Sequence, residues 1–122
     1  FGWDISPAIF KKIIGLGIVL EESIGIELIK QGEKVSQIGF ILEGSVKVIK
    51  DNKELITLNR GQFFGQFSFI TGDSASSSVF AQDSLKCIYW DQKILKKYLV
   101  GNENLLPEFQ QVLTKKVLES LS

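Results

Sequence analysis

Histidine is absent from this 122-residue chain. With it go the imidazole base, triads of the Ser-His-Asp type and any zinc site built on histidine ligands. A single cysteine, Cys87, rules out an internal disulfide and paired-thiol chemistry. One reduced thiol fits a cytoplasmic setting. Methionine is missing altogether and the first residue is Phe1, so the expectation is a piece excised from a longer protein. Net charge is lacking too. Fourteen basic residues meet 14 acidic ones, which leaves nothing to draw the domain onto DNA, RNA or an acidic membrane surface. The longest uncharged apolar run, Ile13 to Leu20, contains two glycines. It falls far short of the ~20 residues of a spanning helix and lacks the layout of a secretory signal. These absences remove the usual catalytic parts and point to a binding or regulatory module rather than an enzyme.

What is present is an ordinary globular composition, 44% hydrophobic and 23% charged. That is enough for one core and, at this length, not for two. Ser6-Pro7 reads as an N-cap followed by proline at the first helical position. Ile9, Phe10, Ile13 and Ile14 then keep helical spacing until Gly15 and Gly17. The texture next turns to short β-type stretches: Ile18 to Glu22, Gly25 to Lys30, Ile38 to Leu42, Ser45 to Lys50, Glu54 to Asn59, Val79 to Ala81 and Leu85 to Trp90. Asp51-Asn52 suits a tight hairpin. Strands this short and this evenly broken by turns suggest a sandwich or jelly-roll rather than a βαβ sheet. Helical texture returns at Asp91, a good N-cap, with Ile94, Leu95, Tyr98 and Leu99 on one face. Pro107 opens a last helix carrying Phe109, Val112, Leu113, Val117 and Leu121 at spacings of three and four. The expected fold is therefore α+β: a jelly-roll or β-roll sandwich with an N-terminal helix and two C-terminal helices, in one domain over residues 1–122.

The most informative pattern is a grid of glycines. Gly25, Gly32 and Gly44 are followed by Arg60-Gly61-Gln62-Phe63-Phe64-Gly65-Gln66-Phe67-Ser68-Phe69 and then by the small-residue run Ser74 to Ser78. Over nearly the whole chain this resembles the cyclic nucleotide-binding domain family, whose helix, roll and two-helix plan is the same. The stretch from Cys87-Ile88-Tyr89-Trp90 through Leu95 and Leu99 also has a faint likeness to the Popeye branch of that fold.

The resemblance implies a phosphate-binding cassette. In the family, a short helix after Phe-Gly points backbone N–H groups at the cyclic phosphate. A glutamate after the glycine accepts from the ribose hydroxyl, and an arginine further on pairs with the phosphate. Here Phe64-Gly65 match, Gln66 stands where the glutamate would be and Ala75 where the arginine would be. The stretch from Gly72 to Ser78 contains no arginine or lysine. Gln66 is the milder loss, since an amide oxygen still accepts. A hydrogen bond to a charged group contributes ~1.5–3 kcal/mol, so the missing arginine weakens binding by roughly 10- to 100-fold.

The implied cassette is thus Phe64, Gly65, Gln66, Phe67 and Ser68 with Ser74, Ala75, Ser76, Ser77 and Ser78. The implied ligand is cAMP or cGMP, bound weakly, in an altered way or no longer, with no catalytic residue, metal or cofactor. An effector domain or protein partner is expected through the C-terminal helix. Simpler roles stand beside each of these. Phe63, Phe64, Phe67 and Phe69 suit a core, the serines a solvated loop, and Cys87 a buried inert thiol. Lys93, Lys96, Lys97, Lys115 and Lys116 suit solvated helix faces. Two other classes stay open: a ligand-independent interaction domain, and the sensor domain of a transcription regulator whose DNA-binding part lies outside this chain.

Overall fold

The computed structural model describes residues 6–102 and 104–121, with side chains through residue 115. The expectations for Lys116, Val117 and Leu121 as side chains lie outside the described residues. Helix α1 (Pro7–Gly15) is capped by Ser6, whose hydroxyl accepts from the Ile9 N–H at 3.2 Å. Strands β1 (Ile18–Glu22), β2 (Glu27–Ile29), β3 (Gln37–Glu43), β4 (Ser45–Lys50) and β5 (Lys53–Asn59) follow. Next come β6 (Phe63–Phe64), the short helix α2 (Gln66–Thr71), β7 (Ser78–Ala81) and β8 (Leu85–Asp91). Helices α3 (Gln92–Gly101) and α4 (Leu106–Leu121) complete the α+β roll. Asp51 and Asn52 both take positive φ, 52° and 66°, the conformation a two-residue hairpin turn requires. Asp91 caps α3 by accepting from the Ile94 N–H at 3.0 Å.

The strands form two antiparallel four-stranded sheets, in the orders β1-β8-β3-β6 and β2-β7-β4-β5. Seven strands are legible in the sequence and β6 is the eighth. Two residues are too few to display alternation, and only their pairing with Gly39 and Phe40 of β3 makes them a strand. That pairing explains Gly39: the Phe64 ring lies directly over it, in the space a Cβ would need.

Side chains of the first sheet bury on both faces. Ile38, Phe63, Ile88 and Trp90 pack with Ile13, Leu95, Leu99, Phe109 and Leu113 from the helices. Ile41, Phe64, Cys87 and Tyr89 face the other way and meet Val46, Leu58, Val79 and Ala81 inside the roll. The Trp90 indole N–H donates to the Ile13 carbonyl at 2.8 Å, tying the end of α1 to β8. Because Phe63 and Phe64 point to opposite faces, β6 sits between the helical layer and the interior of the roll.

Candidate functional site

A cavity of about 300 Å³ opens inside the roll, at the small end of the range for ligand pockets. One wall comes from the second sheet: Val48 and Lys50 of β4, Leu55, Ile56 and Leu58 of β5, and Val79 of β7. Facing residues come from the β6–α2 segment, Phe64 through Ser68, and from Ala75, Ser76 and Ser77. Ile29 and Val35 complete the lining.

Gly65 makes the turn that aims α2 at this space. Its φ is +82°, in the left-handed region that favours glycine. A Cβ there would approach the Gln37 carbonyl oxygen at 3.0 Å. No side chain caps α2. The helix then divides its residues between two environments. Phe69 is fully buried and meets Phe109 of α4 edge-to-face, with ring centroids 5.5 Å apart. The Lys96 ammonium of α3 lies 4.9 Å from the Phe69 ring centroid. Phe67, 53% exposed, lies along the cavity instead. Of the four phenylalanines with an alternative reading as core, Phe63, Phe64 and Phe69 are core and Phe67 is not.

Gln66 is 6% exposed and lines the cavity, and its amide has no hydrogen-bond partner among the described residues. A buried polar group left unpaired costs ~1–3 kcal/mol, so this amide is poised for a partner entering the cavity.

The serine segment is more tightly held than a solvated loop. The Ala75 carbonyl accepts from the Gly32 N–H at 2.8 Å, and the Ala75 N–H donates to the Glu33 carbonyl at 2.9 Å. The Ser78 hydroxyl accepts from the Gln31 N–H at 2.9 Å. Of the sequence-derived candidates, Phe64, Gly65, Gln66, Phe67, Ser68, Ala75, Ser76 and Ser77 come together around one cavity. Ser74 and Ser78 stand outside its lining, Ser78 because its hydroxyl is engaged with Gln31. Sequence reasoning missed Lys50 and the apolar wall of Val48, Leu55, Ile56 and Leu58. The signal that could have found Lys50 is the alternation Val46, Val48, Lys50 along one face of β4.

Cys87 stands apart from the cavity. It is fully buried, and that burial pushes its thiol from 9.0 up to about 12, with Glu22 reinforcing the rise and a hydrogen bond with Tyr89 opposing it. Burial also raises the Tyr89 hydroxyl, which donates to Glu22 at 3.5 Å. Such a thiol is inert at neutral pH. Among the described residues, no cluster of acidic or cysteine side chains could hold a metal ion, and no helix is long and apolar enough to cross a membrane.

Comparison with known proteins adds four findings. The family model for the cyclic nucleotide-binding domain matches residues 24–102. The chain is 31% identical to a cGMP-dependent protein kinase of Plasmodium berghei (strain Anka) over 75 residues, which is 61% of this chain and 9% of the kinase. It is 32% identical over 80 residues to the cAMP-dependent protein kinase type II regulatory subunit of Drosophila melanogaster, covering 62% of this chain and 21% of that subunit. The chain therefore spans only a small part of either relative. A crystal structure of a Geobacter metallireducens GS-15 protein superposes with a TM-score of 0.87 at 19% identity, over 98% of this chain and 89% of that one. At that identity the likeness is one of fold.

Proposed function

Because this chain belongs to the cyclic nucleotide-binding domain family, we propose that it is a regulatory module whose cavity takes cAMP or cGMP weakly and that performs no chemistry of its own. The observation that carries this reading is the buried, unpartnered Gln66 amide at a cavity of about 300 Å³. Cassette-type residues stand on one side of that cavity and an apolar wall on the other. Gln66, Ser76 and Ser77 offer neutral hydrogen-bonding groups to the ribose and phosphate, while Val48, Leu55, Ile56 and Phe67 offer the apolar surface a purine needs. Among the described residues no carboxylate lines the cavity, so it offers no general base.

The proposed output runs through α2. Ligand seated on Gln66 and Ser68 bears on the helix whose other side, Phe69, rests on Phe109 of α4. A shift of α2 would be felt by α4, and through it by an effector domain or partner. The relatives named above are a cGMP-dependent kinase and a cAMP-dependent regulatory subunit, which supports these two nucleotides as the first to test.

Titration calorimetry of the unmodified domain against cAMP, cGMP and cyclic dinucleotides tests the reading. Weak binding of cAMP or cGMP is expected. Tight, nanomolar binding would refute the weakened pocket. No heat at ~1 mM nucleotide would favour a second reading, a ligand-independent interaction domain. What supports that alternative is apolar exposure along the edge strand β1, where Ile18, Val19 and Leu20 are 61%, 52% and 45% exposed.

A further inference from the structure

We propose that Lys50 is the cation this cavity presents to an anionic ligand, taking from a strand the part that the serine segment leaves unfilled. The inference rests on the cyclic nucleotide reading above and assigns a residue that the sequence around the cassette does not contain.

The register of the second sheet carries it. Strands β4 and β7 pair as Val46↔Ala81, Lys47↔Phe80, Val48↔Val79 and Ile49↔Ser78. One more antiparallel step sets Lys50 alongside Ser77, within the segment that contributes Ala75 and Ser76 to the lining. Alternation on the strand supplies the direction. Val48 and Lys50 both line the cavity, and Ile49 between them does not; Lys47, on the same side of the strand as Ile49, meets Glu54 at 2.8 Å. A clamp holds the end of β4 in place. The Gln31 side chain donates to Asp51 Oδ1 at 2.9 Å and accepts from the Asp51 N–H at 3.0 Å, while the Gln31 N–H donates to Ser78 at 2.9 Å. Residue 51 and the end of the serine segment are therefore fixed to one another through a single glutamine.

Charge bookkeeping around the cavity leaves Lys50 available. Lys47 is neutralised by Glu54 and Lys30 by Glu33 at 3.7 Å. The adjacent Asp51 carboxylate is engaged by Gln31. Lys50 has no carboxylate partner among the described residues, and it is the one charged side chain in the cavity lining among them. The second, independent pointer to a ligand is Gln66, an uncharged amide with its hydrogen-bonding capacity unused in the same cavity. One ammonium and one amide suit a ligand bearing a single negative charge and a hydroxyl, as a cyclic nucleotide does. An ammonium acts as a hydrated point charge rather than the rigid two-pronged donor of a guanidinium. Because Lys50 is exposed at its strand end, its attraction is open to salt screening.

Calorimetry with cAMP on the wild type, Lys50→Met, Lys50→Arg and Lys47→Met tests this. Salt is raised from about 0.01 M to about 0.15 M, over which the screening length falls from roughly 30 Å to 8 Å. Lys50→Met should weaken binding about tenfold and flatten its salt dependence. Lys50→Arg should keep both, and Lys47→Met should change neither. Thermal melts confirm that each variant is folded. Wild-type affinity in Lys50→Met overturns the role of Lys50 while the cyclic nucleotide reading stands. Absence of cAMP and cGMP binding by the wild type overturns both.

Discussion

Ala75 ends in one methyl at a position whose backbone is held on both sides, by Gly32 and by Glu33. A side chain grafted there starts from a fixed Cα, and geometry is the harder part of a phosphate site to rebuild. Ala75→Arg should therefore strengthen cAMP binding by about tenfold or more. Gln66→Glu should add less, because the amide oxygen already accepts. The double variant should fall short of the sum, since the new carboxylate and guanidinium share one cavity lining and can pair with each other. Calorimetry on both single variants and the double decides it; if Ala75→Arg adds nothing to a wild type that already binds tightly, the serine segment is an adequate phosphate site as it stands. Cys87 supplies a prediction in pH. Its folded-state value of about 12 lies above the ordinary 9.0, so above pH 9 the unfolded chain loses this proton first and the folded chain keeps it. Its contribution to stability is complete below pH 9 and declines as pH rises toward 12. Urea midpoints should fall over that window, less so in Cys87→Ala after allowing for its constant packing loss. Thiol reagents at pH 8 should label only unfolded protein.

Helix α4 is anchored by aromatic packing. Phe109 is 1% exposed and Leu113, four residues on, is fully buried, which is one face of a helix. The Phe109 ring meets Phe63 at 6.4 Å and Phe69 at 5.5 Å, both edge-to-face. The described part of the apolar face expected from spacing thus packs on the roll, with Val112 half-buried beside it. Phe109→Ala removes a ring from that junction and should cost about 3–5 kcal/mol of stability by urea unfolding. Amide exchange from Glu108 to Leu113 should be slow in the wild type; fast exchange there would contradict a docked helix. The element boundaries repeat the lesson of local chemistry. Ser6 and Asp91 cap α1 and α3 as their side chains allow, and the Asp51-Asn52 turn has the two positive φ values its sequence suits.

For the whole molecule, balance of charge matters more than any patch. With 14 basic and 14 acidic residues, there is no net charge to hold a polyanion. The chain alone should therefore give no mobility shift with duplex DNA at micromolar protein. A shift that weakens with salt would overturn this. The two hydrophobic clusters meet across the first sheet, where β8 is buried on both faces from Cys87 to Trp90. That strand is the shared wall between the roll and the helices.

The order of elements, β6 and the short α2 apart, was legible from the residues alone, because caps, turn residues and apolar spacing act within a few positions of themselves. The stretch from Phe64 to Ser68 was singled out by resemblance to a family, and its residues, adjacent in the chain, stay adjacent in space along the cavity. Tertiary structure alone decided the rest, and in each case the deciding contact joins residues distant in sequence. Strand β6 exists because Phe63 and Phe64 pair with Phe40 and Gly39. Ser78 leaves the candidate lining because Gln31 reaches it from another loop. The lysine in the cavity lining comes from residue 50, far in sequence from residues 72–78, since an antiparallel register brings the end of β4 beside the start of β7. Local preference fixes where a strand begins, but which strands lie side by side follows from burying both faces of a sheet, and that choice belongs to the whole chain.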